Sequence, residues 1–186
     1  IPDGVGIRNY LYSDVLRHVK EEAEIVFWSP LPEQAFSEVK QLHDIEIGYK
    51  KITLHAESTL TRLFRESATY GRLISNSKKT NNSTILTNWK YNPSSIKLKV
   101  LNTLSMTLGS WSAKQYSRIL GLEAKASKHW SRAVIEEHKK DLIVLKPTSI
   151  FITHQRVAAL MPICIAAKEL NIPVITAIYS WDNLPK

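Results

Sequence analysis

The sequence contains little of what marks a disulfide-stabilised, secreted or membrane-spanning protein. Its one cysteine, Cys164, has no second cysteine to pair with, which excludes an intramolecular disulfide and favours a reduced, cytosolic setting. The apolar stretch around it, 157–167, is interrupted by Pro162 and is shorter than the ~20 residues that cross a bilayer. The N-terminus lacks the basic and then apolar segments of a signal peptide. We therefore expect neither a membrane span nor secretion.

Several motifs that carry chemistry are also absent. The patterns HExxH, CxxC, GxSxG and the P-loop do not occur, and the histidines are not at metal-ligand spacing. The sequence therefore predicts no metal site and no thiol or P-loop chemistry. It also has no helix-turn-helix, zinc-finger or aromatic ribonucleoprotein signature, so we expect no nucleic-acid partner.

The composition itself is that of a globular protein. With 186 residues, 44% hydrophobic and 23% charged, the chain is long enough for one compact domain with its own core. Its 25 Lys and Arg exceed its 17 Asp and Glu, which leaves a formal net charge of +8. Such a surplus suits nucleic acid, an anionic membrane surface or a phosphate-bearing ligand, and charge alone does not choose among them.

Both ends of the chain show the alternation of helices and strands that is typical of an α/β domain. After a glycine-containing turn, the apolar patterns predict a helix at 9–22, a strand at 24–29, a helix at 32–41 and a strand at 45–49. Near the C-terminus they predict a strand at 149–153, a helix to Leu170 with a left-handed cap at Asn171, and a buried strand at 174–179. This order predicts a Rossmann-like parallel sheet flanked by helices.

The middle of the chain is mostly helical in pattern. The spacing of leucines predicts a helix at 53–73, a polar loop follows at 75–83, and the segment 94–144 reads as helices broken near Gly109 and Gly121. The basic residues expected on outer helix faces are Lys97, Lys99, Lys114, Arg118, Lys125, Lys128, Arg132, Lys139 and Lys140. Much of the net charge is therefore expected in this helical middle.

The opening turn is the first candidate binding segment. Asp3-Gly-Val-Gly6 offers backbone N–H groups at a helix N-terminus, where an anion or a sugar hydroxyl is favoured. Gly4 and Gly6 fit equally well a purely structural strand-to-helix turn. Asp3 and Arg8 are the polar side chains here that can do chemistry, and Asn9 fits a helix cap as well as a ligand contact.

Two further polar segments follow predicted strands. His154 and Arg156 come directly after the strand at 149–153, at the carboxyl edge where open α/β folds bind ligands. Here His154 is either a base or substrate contact, or a turn residue bonded to backbone. The segment Ser180-Trp-Asp-Asn183 is either an ordinary turn with one buried Trp181, or a loop that Asp182 and Asn183 hold while the ring faces a sugar or a neighbouring domain.

Four segments resemble the amino-terminal half of a bacterial GT-B glycosyltransferase, of the surface-polysaccharide branch related to UDP-glycosyltransferases. They are Asp3-Gly-Val-Gly-Ile-Arg-Asn-Tyr-Leu11, Ile150-Phe-Ile-Thr-His-Gln-Arg156, Ala166-Ala-Lys-Glu-Leu-Asn-Ile-Pro-Val174 and Ser180-Trp-Asp-Asn-Leu-Pro-Lys186. The helical middle carries none of this resemblance, which covers roughly a third of the chain at its two ends.

The resemblance implies that 1–186 is the acceptor-side Rossmann-like domain of a nucleotide-sugar-dependent glycosyltransferase, acting in surface polysaccharide or glycolipid synthesis. In that family, a carboxyl-terminal domain mainly binds the nucleotide-sugar, so the donor and its domain are expected beyond Lys186. The fragment alone is expected to hold no cofactor and to transfer no sugar. Only Ile1 and Pro2 precede the glycine turn, so most of the first strand is expected to be missing.

The resemblance also assigns roles to residues of this sequence. Asp3 and His154 become candidates for the catalytic base that takes the proton of the acceptor hydroxyl. Arg8 is implied to orient an acidic group of the acceptor, and Gly4 and Gly6 to let the acceptor approach the backbone. The substrate-binding set that we expect is Gly4, Gly6, Arg8, Asn9, Arg156, Trp181, Asp182 and Asn183.

The expected partners are a sugar or lipid-linked acceptor and the donor domain. Because such acceptors are often carried on pyrophosphate-linked lipids, the basic middle suggests attraction to an anionic membrane surface, and a cytoplasmic protein peripheral to the inner membrane face. Two other functions remain open. One is half of a sugar-nucleotide epimerase, and the other is a non-enzymatic basic α/β binding module.

Overall fold

The structure, a computed structural model, describes residues 10–153 and 157–176. Their fold is mixed α/β, with mostly helices and two small two-stranded parallel sheets. The strands are β1 (Val26–Ser29), β2 (Gly48–Lys51), β3 (Ile150–Ile152) and β4 (Val174–Thr176). The α-helices are α1 (Val15–Val19), α2 (Ser37–His43), α3 (Thr59–Thr80), α4 (Ile96–Ser112), α5 (Tyr116–Lys128), α6 (Arg132–Leu145) and α7 (Met161–Glu169). Short 3-10 helices span Glu33–Phe36, Ser83–Asn88 and Ala158–Leu160.

The first sheet pairs β1 with β2 in parallel, with Val26 opposite Gly48 and Ser29 opposite Lys51. A crossover through α2 joins the two strands, and Asp44 ends that helix in the left-handed conformation at φ 47°. The core beneath this sheet consists of Leu11, Leu16, Phe27, Phe36, Val39 and Ile47. The predicted order of strand, helix and strand is confirmed here, although β2 begins at Gly48 rather than at 45.

The second sheet pairs β3 with β4, also in parallel, with Ile150 opposite Val174. Its crossover is α7, which has Pro162 in its first turn and is followed by Asn171 at φ 57°. The left-handed residue predicted at Asn171 is therefore confirmed. Helices α6 and α7 close over a second core that contains Trp130, Ile135, Leu142, Ala166 and Ala167.

One continuous sheet was expected, whereas the described residues form two separate pairs. The prediction of a buried strand from 174 onwards is wrong for its first three residues, which are all exposed. Residues 177–179 lie outside the described residues. Residues 174–176 are exposed because β4 contacts β3 and little else in the described chain. No layer therefore covers Ile175, which is 54% exposed.

The predicted loop at 75–83 is wrong, because α3 continues to Thr80. The helix begins after Ser58, whose hydroxyl accepts a hydrogen bond from the backbone N–H of Thr61, and ends at Asn81, which has φ 49°. Ser75 lies within α3 and is buried. Of the polar residues that suggest a loop, Ser75 packs inside, whereas Lys78, Lys79 and Thr80 are exposed on the last turn of the helix.

The breaks predicted near Gly109 and Gly121 are also wrong. Both glycines lie inside helices, α4 and α5, and the chain turns instead at 113–115 and 129–131. Gly109 faces α3 at a distance that leaves no room for a side chain.

The first helix is shorter than predicted. A helix was expected at 9–22, whereas α1 covers only Val15–Val19. Residue 9 lies outside the described residues.

Candidate functional site

Every residue that the sequence nominated for the site lies outside the described ranges. These residues are Asp3, Gly4, Gly6, Arg8, Asn9, His154, Arg156, Trp181, Asp182 and Asn183. Their roles therefore stay predictions. The structure does describe the residues that adjoin two of these segments, namely Tyr10 after the opening turn and Thr153 before His154.

The opening segment and β3 meet through their aromatic rings. The ring centroids of Tyr10 and Phe151 lie 5.5 Å apart at an interplanar angle of 78°, an edge-to-face contact. The next residue, Leu11, is buried in the first core, and its carbonyl oxygen lies 2.6 Å from Nε2 of His43. Two of the four segments that carry the family resemblance are therefore in contact, although they lie at opposite ends of the chain.

Thr153 follows β3 at its carboxyl end. Its side chain is buried, with 4% exposed, and within the described ranges its hydroxyl has no hydrogen-bond partner. A hydroxyl in that position costs free energy unless something bonds to it. The carboxyl end of β3 is thus a place where a polar ligand atom or a neighbouring polar group would be stabilised.

A second group of polar side chains lies between the first sheet and α6, and we call it the histidine cluster. Its members are Lys50, His55, Glu137, His138 and Asp141. Lys50 lies on β2 beside Trp28 of β1, because these residues are opposite each other in the parallel register. His55 belongs to the segment that leaves the carboxyl end of β2, while the other three members lie on α6.

His138 is the buried centre of this cluster. It is 1% exposed, and neither ring nitrogen has a hydrogen-bond partner in the part of the chain that the structure describes. Its ring meets the rings of Trp28 and His55 edge to face, with centroids 5.9 Å away in each case. Burial lowers the pKa of His138 below its ordinary value, and His55 adds to this effect, whereas Glu137 and Asp141 oppose it. His138 is therefore neutral at physiological pH.

The other members of the cluster are partly exposed. Nε2 of His55 lies 3.3 Å from a carboxylate oxygen of Glu137, whose side chain is half exposed. Nζ of Lys50 donates a hydrogen bond of 2.5 Å to Asp141, which ties β2 to α6. The cluster therefore joins β2 and the segment that follows it to α6 through polar contacts.

Sequence reasoning missed this cluster. One signal was present, because His138 is spaced three residues after Ile135 and four before Leu142, on the buried face of a predicted helix. Nothing local in the sequence brings His55 or Trp28 to that face. The cluster depends on the packing of the first sheet against α6.

Two open cavities lie elsewhere on the described surface. The first, about 560 Å³, is lined by 20–25 with Ile45 and Glu46, the residues before β1 and β2, so it lies at the amino edge of the first sheet. The second, about 470 Å³, is lined by Cys164, Lys168 and the segment 171–174. Burial raises the pKa of the Cys164 thiol, which disfavours the reactive thiolate form.

Within 10–153 and 157–176, no three His, Cys, Asp or Glu side chains are grouped so that they could hold a metal ion. None of the described helices combines the length and the apolar character that crossing a membrane requires.

The chain was also compared with known proteins. No protein-family description, no curated protein and no solved structure matches it.

Proposed function

We propose that this chain is the acceptor-binding half of a nucleotide-sugar-dependent glycosyltransferase, in surface polysaccharide or glycolipid synthesis. Within the mixed α/β class, the specific fold that we propose is the Rossmann-like amino-terminal domain of a GT-B enzyme. The observation that carries it is the contact between Tyr10 and Phe151, because it joins two of the segments on which the family resemblance rests.

The described fold supports the proposal in one further respect. Each sheet is a parallel strand pair with a helical crossover, β1-α2-β2 and β3-α7-β4, which is the repeating unit of Rossmann-like domains. In such folds ligands bind outside the carboxyl ends of the strands. The buried hydroxyl of Thr153 lies at that end of β3, and His154 is the next residue.

In the proposed reaction, Asp3 or His154 removes the proton of an acceptor hydroxyl. The oxygen then attacks the anomeric carbon of the donor sugar, and the nucleoside diphosphate leaves with the bonding electron pair. Arg8 orients an acidic acceptor group and Arg156 contacts the substrate, while Asp182 and Asn183 hold the loop from which Trp181 faces a sugar ring. The donor is held by a second domain, so residues 1–186 alone bind acceptor without turnover.

The test is turnover by the full-length protein with a panel of nucleotide-sugars and a lipid-linked acceptor, followed as release of nucleoside diphosphate. If either residue is the base, Asp3→Asn or His154→Gln should lower kcat by about 100-fold or more. The matched control is His18→Gln, since His18 is exposed on α1. Absence of transfer and of hydrolysis with every donor would count against the enzyme.

A further inference from the structure

The net charge of the chain is confined to one segment. Residues 67–122 contain no Asp or Glu, and they contain eight basic residues: Arg72, Lys78, Lys79, Lys90, Lys97, Lys99, Lys114 and Arg118. The rest of the chain has 17 basic and 17 acidic residues and is neutral. The whole formal charge of +8 therefore belongs to the segment that forms most of α3, all of α4 and the first half of α5.

Within this segment, α4 has its large apolar side chains on the outside. Ile96, Val100, Leu104 and Trp111 are 84%, 54%, 53% and 50% exposed. Their spacing of four, four and seven residues places them along one face of the helix. This face is about 25 Å long, since a 17-residue helix rises about 1.5 Å per residue.

The opposite face of α4 is buried and consists mainly of small residues. Ser105, Gly109 and Ser112 pack against α3, where Gly71 lies close to Gly109. Leu101 is also buried, and Leu108 packs against the core of Ala68, Ile119 and Leu122, so the large apolar side chains on the outer face are additional to those that the helix buries. Nothing in the described part of the chain covers the aliphatic face.

Cations and aromatic rings border this face. The guanidinium of Arg118 lies 4.4 Å from the centre of the ring of Trp111, which is the last member of the face. Lys97, Lys99 and Lys114 are exposed along and just beyond α4. Aliphatic residues on one face with lysine, arginine and tryptophan at its borders are typical of helices that lie in the plane of a membrane interface.

We propose that α4 docks on the surface of an anionic lipid bilayer. The aliphatic face enters the boundary between headgroups and acyl chains, and the surrounding Lys and Arg side chains contact lipid phosphates. The helix lies along the surface and does not span it, because its 17 residues carry Lys97 and Lys99 and none of the described helices can cross a membrane.

The chemistry of the face favours lipid over nucleic acid. Phosphates of nucleic acid would satisfy the lysines, but Ile96, Val100 and Leu104 would gain nothing from a nucleic-acid backbone, since they offer no stacking surface. This inference does not rest on the proposed function. Vesicle binding is measured without donor or acceptor, so either proposal can fail while the other stands.

The experiment is flotation of the purified chain with vesicles of phosphatidylcholine alone or with about one-third phosphatidylglycerol. We expect binding to the anionic vesicles to be at least about tenfold tighter than binding to the neutral ones. It should be lost near about 0.5 M NaCl, because the Debye length is then only about 4 Å. Equal binding to both vesicle types, or none to either, would overturn the proposal.

Two double variants separate the apolar and the ionic parts. Val100→Ser with Leu104→Ser should weaken binding by about tenfold or more, and Lys97→Gln with Lys99→Gln should do the same. The matched controls are Ile143→Ser with Val144→Ser and Lys128→Gln with Lys140→Gln, which alter equally exposed positions on α5 and α6. The controls should stay within about twofold of the unaltered chain.

The depth at which α4 enters the bilayer is measured separately from the affinity for vesicles. Acyl chains brominated near the headgroup should quench tryptophan fluorescence of the bound protein, and Trp111→Phe should remove most of that quenching. Unchanged quenching in this variant would contradict the proposed orientation. Competition by single-stranded RNA that displaces vesicles at equal affinity would assign the face to nucleic acid and overturn the lipid proposal.

Discussion

Gly71 of α3 and Gly109 of α4 lie against each other, so that a Cβ added at Gly109 would be 3.1 Å from the backbone nitrogen of Gly71 and 2.7 Å from the carbonyl oxygen of Ser67. Backbone atoms cannot move aside as the end of a flexible side chain can. Contact between α3 and α4 at this point therefore requires glycine, and Ser67, Ser105 and Ser112 extend the same close interface.

The first prediction concerns this interface. Gly109→Ala should lower the free energy of unfolding by about 2 kcal/mol or more, because the two helices must separate to admit the methyl group. The control is Gly121→Ala, which is also within a helix but has open space around the added Cβ. That variant should stabilise by about 0.5–1 kcal/mol through helix propensity. Urea unfolding followed by circular dichroism measures both, and equal effects would contradict the prediction.

The second prediction concerns the ion pair that joins the first sheet to α6. Lys50 and Asp141 are both about two-thirds buried, and they form a 2.5 Å hydrogen bond. A double-mutant cycle with Lys50→Met and Asp141→Asn should give a coupling of about 1 kcal/mol. The exposed pair Arg17 and Asp14, 3.6 Å apart, should give no measurable coupling.

The third prediction is a loss of stability in acid. Since burial lowers the pKa of His138 in the folded chain, the unfolded chain binds a proton first as the pH falls below its ordinary value of 6.5. The contribution of His138 to the free energy of unfolding is therefore fully present above pH 6.5. It is lost as the pH falls from 6.5 through the lower pKa of the folded chain. The groups facing His138 are His55, Glu137 and Asp141.

His138→Leu should flatten the decline in unfolding free energy below about pH 6.5, because no buried imidazole then has to accept a proton. His18→Gln is the control, because it replaces an exposed histidine and leaves the buried one in place. Thermal unfolding of the unaltered chain and of both variants, measured from about pH 7.5 to about pH 5, tests this. The stability of each protein is compared with its own value near neutral pH. An unchanged slope in His138→Leu would refute the assignment.

The fourth prediction concerns the contact between Tyr10 and Phe151. A double-mutant cycle with Tyr10→Leu and Phe151→Leu should give a coupling of about 0.5–1.5 kcal/mol, as edge-to-face aromatic pairs do. The matched cycle of Tyr10→Leu with Phe64→Leu should be closer to additive, because Tyr10 packs against the first core whereas Phe64 packs against Ala68, Ile119 and Leu122. A coupling near zero for the first pair would remove the main support for the proposed function.

The fifth prediction concerns Cys164. Because burial raises the pKa of its thiol, iodoacetamide near neutral pH should modify it at least about tenfold more slowly in the folded chain than in urea. Mass spectrometry of the alkylated protein measures the rate. Equal rates in the folded and unfolded chain would show that the thiol is more accessible than its position in α7 indicates.

Short-range features of the fold were predictable because local chemistry determines them. Val26–Ser29 is an apolar run bounded by Pro30, and Asn171 ends α7 in a conformation that asparagine adopts more readily than most residues. Parallel pairing followed from strands separated by helices, since such a crossover returns the chain in the same direction. The candidate site was harder to predict from the sequence. The residues nominated for it lie outside the described ranges, so their roles stay predictions. The histidine cluster was not predicted, because no local sequence pattern brings its members together.

The sequence by itself determined the alternation of strands and helices, the direction of strand pairing and the segregation of charge into 67–122, because each depends on residue types in order along the chain. Only the tertiary structure decided that Gly109 is an interface residue and not a helix break, that the polar residues before Asn81 belong to α3, and that His55 meets His138. It also placed the aliphatic residues of α4 on the outside. These outcomes depend on which helix packs against which, and that is a property of contacts between distant residues.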